Sequence, residues 1–155
     1  MQITFLSYIL AAVVSYLGLL IGILLIKMAP EEQKPGRKYF IFLKMAAFFF
    51  VIALLMFYFS VNILLSLVLL FSIFILMIKK RLHLEKSALV YLLFGFIFYF
   101  SSKIFTLFVL ESVLIFLYGI PNSSLIINPR KNNYKDIFVK NIWFFLPAIV
   151  LYFLF

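Results

Sequence analysis

The chain of 155 residues has no cysteine, one tryptophan, one histidine and one aspartate. The absence of cysteine removes disulfide frameworks, thiolate metal sites and cysteine nucleophiles. One histidine and one aspartate do not supply the ligand sets of zinc, haem or iron–sulfur centres, nor a serine-hydrolase constellation, so no metal and no cofactor is expected. No glycine-rich phosphate loop is present. Membrane enzymes acting on phospholipid headgroups draw on clustered aspartates or histidines with a metal, which this chain cannot furnish. Charge itself is scarce, at 12% of residues against about 25% in an ordinary soluble domain. Acidic residues are the scarcest, five against 14 lysines and arginines.

What is abundant is apolar surface. Hydrophobic residues make up 67% of the chain and the mean hydropathy is +1.22. Too few polar residues remain to cover a soluble core, so lipid must be the solvent. About six spans of roughly 20 residues would use some 120 positions, which leaves no room for an appended soluble domain. The net charge of +9 needs no nucleic acid, because basic loops facing anionic lipid headgroups account for it.

The expected fold is an all-α, polytopic integral membrane helix bundle. Its single domain of residues 1–155 holds spans near 3–28, 40–59, 62–78, 84–101, 103–119 and 137–155. The first apolar run lacks a charged leader region and a small-residue cleavage site, and reads as a transmembrane helix rather than a signal peptide. Pro35-Gly36 suits the centre of a type II turn. The 39 apolar residues from Phe40 to Ile78 would make a helix of about 58 Å, so they must fold back, and Ser60-Val61-Asn62 is the polar place to do so. Residues 88–118 are ambiguous. They form either a hairpin broken at Ser101-Ser102-Lys103, giving six spans, or one long helix, giving five. A kink is expected at Pro147.

Charge placement favours the hairpin. Lysine and arginine collect in short cytoplasmic loops. With six spans, 13 of the 14 positives fall on one side, in a cell membrane with both termini outside. Tyr8, Tyr58, Tyr99 and Tyr152 then approach one interface, and Tyr39, Tyr118 and Trp143 the other, whereas Tyr16 and Tyr91 fit neither aromatic belt.

Small residues at Ser7, Ala11, Ser15, Gly18 and Gly22 form one continuous face of the first helix. Close backbone approach along such a face is what associates helices in lipid. The face suits another helix of the same chain, a second copy or a membrane partner protein. Glu111 is the deepest ionisable group and must be paired, neutral or facing a polar cavity. Lys103 lies two turns away but about 80° round the helix, a poor intrahelical partner. Other helices offer Lys44, Asn62, Ser66, Ser72 and Tyr16, and Glu111, Lys103 and Asn62 are the candidates for moving a proton or cation. Lys44 and Lys140 sit one turn inside their helices and are expected to snorkel to the inner headgroups, beside Lys79, Lys80 and Arg81. Laid over each other, Ile41–Phe59 and Ile137–Phe155 match at eight of 19 positions, including Lys44 with Lys140. That match hints at a duplicated helix–loop–helix, the parallel type of internal repeat.

Three functional classes follow. A non-catalytic membrane subunit, scaffold or assembly factor leads, because few intramembrane polar residues are present to line a path. A small ion- or solute-transporting permease or channel built on Glu111 is the alternative. A lipid-active enzyme using Glu31, Glu32, Arg37, His83 and Glu85 comes third.

Overall fold

The computed structural model describes residues 3–78, 87–127 and 134–154. Among them every regular element is helical: α1 (Phe5–Met28), α2 (Gln33–Tyr58), α3 (Ile63–Ile78), α4 (Ser87–Ser101), α5 (Phe105–Ile126), α6 (Tyr134–Asn141) and α7 (Phe145–Leu154). Four stretches are long and apolar enough to cross a membrane: α1, α2 with its preceding turn, α5, and α6 running on into α7. α3 and α4 are shorter apolar helices. The described residues form an all-helical bundle of the kind a membrane protein has.

Local chemistry sets the boundaries. Thr4 caps α1 through its side-chain oxygen, which accepts from the Ser7 N–H. At the other end Ala29 precedes Pro30 and adopts φ −134°, ψ 69°, since the proline ring disfavours the helical region for its predecessor. A 3₁₀ turn, Pro30–Glu32, leads into α2. α2 therefore starts seven residues before the expected position at 40 and runs straight through Pro35-Gly36, where a turn was expected. Proline is tolerated there because the first four helical N–H groups have no intrahelical partner to lose.

The chain reverses at Ser60, whose φ of 51° is left-handed. Asn62 then caps α3, its Oδ1 accepting from the Leu64 N–H at 2.9 Å. Residues 88–118 are two helices and not one, broken at Ser102–Ile104, with Phe98 and Phe108 in contact across the hairpin at 4.9 Å between ring centroids. α5 runs to Ile126, seven residues past the expected end at 119, and takes Pro121 into its last turns. The hydroxyls of Ser123 and Ser124 bond back to the Gly119 and Ile120 carbonyls and hold those turns together. The last span does not run as one helix. A 3₁₀ stretch, Ile142–Phe144, separates α6 from α7, just before Pro147, whose ring excludes the carbonyl four residues back.

α1 and α5 are the central pair and lie parallel, since Tyr8 stacks on Phe108 while Gly18 meets Phe116 and Gly22 meets Ile120 and Ser123. A Cβ at Gly18 would stand 2.0 Å from the Phe116 carbonyl oxygen, and one at Gly22 2.1 Å from that of Ile120. Only glycine allows this approach, and in lipid such close packing takes the place of the hydrophobic force. α2 packs antiparallel on α5. α6 and α7 lie against α1, where Tyr8 donates to the Ala148 carbonyl at 2.8 Å and Tyr16 to that of Phe138. α2 thus rests on α5, while α6 and α7 pack chiefly on α4 and reach α1 through Tyr8 and Tyr16. α4 packs against α5, α6 and α7, with Gly95 pressed against the Phe144 carbonyl. α3 packs on α2, and its outward side is exposed and apolar.

Candidate functional site

Polar side chains in a lipid-solvated bundle are costly unless they are partnered or used, so their placement is informative. On α5, Glu111, Ile115, Tyr118 and Asn122 follow at intervals of four, three and four and form one buried face. Glu111 and Asn122 are both 0% exposed. Neither Glu111 carboxylate oxygen, neither amide atom of Asn122 and neither hydroxyl of Tyr118 and Tyr91 makes a hydrogen bond to the described residues.

Two other helices complete the seam. From α2, Lys44 is 7% exposed and holds its Nζ 5.6 Å from the centroid of the Tyr118 ring. A buried ammonium over an aromatic face gains cation–π attraction of about 2 kcal/mol when desolvated. From α4, Tyr91 meets Tyr118 edge-on at 5.9 Å, and Phe94 meets it at 4.8 Å. At the end of the seam Gln33 of α2 donates from Nε2 to the Ser124 and Ile127 carbonyls, both at 2.8 Å. It supplies two of the last α5 carbonyls, which the helix itself leaves without partners.

The seam is one-sided. It extends from Glu111 towards the end of the bundle where α1 finishes, α2 begins and Lys27, Lys34, Arg37 and Lys38 lie exposed. Towards the other end the neighbours of Glu111 are the buried apolar side chains Leu107, Phe108 and Phe98, and at the basic end Tyr118, Asn122, Ser123 and Ser124 are equally buried. Three clefts on the outside of the bundle, lined by described residues, have apolar linings and do not include Glu111. One lies between α2 and α3 at Phe49, Leu67 and Phe71, one beside Tyr99, Lys103 and Leu151, and one along Trp143 and Leu146.

The residues singled out from the sequence separate into groups. Lys44 does not snorkel to the headgroups. α5 covers it, and its nitrogen is turned to Tyr118. Lys140 is exposed, so the two aligned lysines occupy different environments. Lys103 is exposed and sits 4.7 Å over its neighbour Tyr99, at the end of the bundle away from the basic loop. Asn62 is an exposed cap, not a partner of Glu111. Ser15, Gly18 and Gly22 are buried, Ala11 is half-buried, and Ser7 is exposed and bonded to Thr4. The glycine part of that face is filled by α5 of the same chain.

Glu31, Glu32 and Arg37 are exposed. Lys79, Lys80, Arg81, His83 and Glu85 lie outside the described residues. Among the described residues no three histidine, cysteine, aspartate or glutamate side chains come together as a metal site.

Sequence reasoning placed Tyr118 at an interface and left Asn122 in a loop, and so missed both. The signal that would have found them is the spacing 111–115–118–122, visible once the helix is allowed to run through Pro121. Tyr16 and Tyr91, which fit neither aromatic belt, are in contact inside the bundle at 6.0 Å. No family model, curated protein or solved structure matches the chain, so the geometry of the seam carries the functional argument alone.

Proposed function

We propose that the protein is a small membrane carrier or permease whose working site is the buried seam of Glu111, Tyr118, Tyr91, Asn122 and Lys44, with Glu111 carrying a proton or cation. The carrying observation is the set of polar groups on one α5 face with no hydrogen-bond partner among the described residues. Each such group costs about 1–3 kcal/mol, and an ionised carboxylate buried without a partner costs more. A scaffold needs none of them, and apolar side chains of similar volume would pack better.

In this reading the seam opens to the side of the basic loops, which face the cytoplasm and anionic headgroups, while both termini lie outside. The six helical stretches α1, α2, α3, α4, α5 and α6–α7 all cross the membrane. Reconstitution into liposomes loaded with a pH-sensitive dye tests the reading. A proton or cation gradient should collapse faster than in empty liposomes, and Glu111→Gln should abolish the excess. An excess unchanged in Glu111→Gln removes this role.

A second reading, a non-catalytic membrane subunit or homo-oligomer, is favoured by α3. Its residues Ile63, Leu64, Val68 and Phe71 are each more than 60% exposed, a face open to a partner helix as well as to lipid. Purification in mild detergent tests it. A stable oligomer or co-purifying membrane protein supports it, and a clean monomer contradicts it.

A further inference from the structure

One of the three outer clefts differs from the other two. Those at Phe49 and Phe71 and at Trp143 and Leu146 are walled by aliphatic and aromatic side chains alone. The third, of about 370 Å³, lies between the end of α4 and α7, where Tyr99, Phe100 and Leu151 share its wall with Lys103. The lysine lines an apolar cleft through its aliphatic stem and carries its charge at the rim.

The position of that charge is set by the hairpin. Lys103 stands at the break between α4 and α5, and its backbone N–H donates to the Phe100 carbonyl. Its side chain folds back over Tyr99, with Nζ 4.7 Å from the ring centroid. Tyr99 is buried and packed, so the ring is a fixed floor, whereas Lys103 is exposed. At this end of the bundle Lys103 is the one charged side chain among the described residues. Glu111, the nearest acid along α5, lies two turns deeper and is buried. The ammonium has an aromatic face and no carboxylate among the described residues. A cation–π contact uses its charge and leaves its N–H donors for an oxyanion.

A cation at the rim of an apolar cleft, at the end of an apolar bundle, selects an amphiphile. A small soluble anion gains nothing from the cleft, and an uncharged chain gains nothing from the cation. We propose that this cleft seats one anionic phospholipid, with its phosphate on Lys103 and its upper acyl chain against Phe100 and Leu151. A zwitterionic phospholipid brings the same phosphate together with a cation that the lysine repels, so a net negative headgroup is preferred. The site is independent of Glu111 and of transport, and rests on the bundle lying in a bilayer.

Site-directed quenching separates this lipid from those drawn to the basic loops at the opposite end. The full chain carrying Trp143→Phe receives one tryptophan at a time, Phe100→Trp in the cleft or Phe57→Trp on α2 at the same end of the bundle. All three positions are exposed, so the exchanges are made at the surface. Each protein is reconstituted in phosphatidylcholine with a rising share of phosphatidylglycerol brominated on its acyl chains. Quenching at residue 100 should rise steeply and level off, with a preference for phosphatidylglycerol of about fivefold, the range of one basic residue at an anionic surface. Quenching at residue 57 should follow the bulk lipid fraction. Lys103→Met should return residue 100 to the bulk curve, and Lys103→Arg should keep the preference. Excess inorganic phosphate should change nothing, since it has no chain to seat.

A bulk curve at residue 100 with Lys103 in place overturns the proposal. So does a preference that survives Lys103→Met, appears equally at residue 57, or disappears with inorganic phosphate. Quenching at neither position places this end outside lipid and overturns it as well. Glu111→Gln should leave the preference intact whatever it does to flux, so this site and the transport reading stand or fall separately.

Discussion

Replacing Gly18 by alanine adds one methyl group at the tightest point of the bundle. That carbon would stand 2.0 Å from the Phe116 carbonyl oxygen and 2.8 Å from its carbonyl carbon, where ordinary contact begins near 3.4 Å. The obstacle is the backbone of a neighbouring helix, so no rotamer change relieves it. α1 and α5 must part by more than 1 Å, and dispersion contacts along the whole pair weaken with them. Overpacking of this kind costs about 1–3 kcal/mol. The gain in helix propensity on replacing glycine returns up to about 1 kcal/mol, and the net result is a loss. For a chain of this size each kcal/mol lowers the melting temperature by about 2–4 °C.

The assay is thermal unfolding in mild detergent followed by Trp143 fluorescence, with Gly36→Ala as control. At Gly36 the nearest atoms belong to the Phe40 ring at 3.0 and 3.2 Å, a side chain that can turn, so Gly36→Ala should melt at or above the unaltered temperature. The loss at Gly18 should be independent of protein concentration, because the contact lies within one chain. A Gly18→Ala protein as stable as its parent would refute the packing argument. A loss that vanishes on dilution would move the contact to an interface between chains.

Other outcomes follow from the same geometry. Gln33→Ala removes two hydrogen bonds to the end of α5 and should lower stability by about 1–2 kcal/mol, measured by the same melt, whereas the exposed Lys34→Ala should change little. Tyr8→Phe removes the bond from the Tyr8 hydroxyl to the buried Ala148 carbonyl at 2.8 Å, and should cost about 1 kcal/mol with α7 loosened in amide hydrogen exchange.

Much of the architecture was legible in the sequence, because composition and charge spacing act over whole helices. The reversal at Ser60–Asn62 and the break at Ser102 were both found from a few polar residues in apolar runs. Helix ends were harder. Pro35 was read as part of a turn and the fifth span was ended at 119, yet Pro35 falls in a first turn that loses no bond, and α5 runs on through Pro121, its last turns held by the Ser123 and Ser124 hydroxyls and by Gln33.

The site was legible at Glu111 alone. Its relation to Lys44, Tyr91 and Tyr118 depends on how α2 and α4 rest on α5, and that is fixed by contacts such as Gly95 against Phe144 and Gly18 against Phe116. No local pattern encodes these. The alignment of Ile41–Phe59 with Ile137–Phe155 is accompanied in the fold by the parallel pair α1 and α5, but α2 rests on α5 whereas α6 and α7 rest chiefly on α4. The matched lysines nonetheless part company, one covered by Tyr118 and the other exposed.

Access to Glu111 from the basic side, which the transport reading requires, is open to direct chemical measurement, because the chain has no cysteine of its own. Glu111→Cys creates a lone thiol at the deep end of the seam, and Ser60→Cys marks the opposite end of the bundle. In sealed vesicles of known orientation, a small water-soluble thiol reagent applied from the side of the basic α1–α2 loop should modify residue 111 and leave residue 60 untouched. Applied from the other side it should do the opposite. Modification of residue 111 from the Ser60 side, or by a membrane-permeant reagent alone, would contradict a polar seam leading from the basic loops to Glu111.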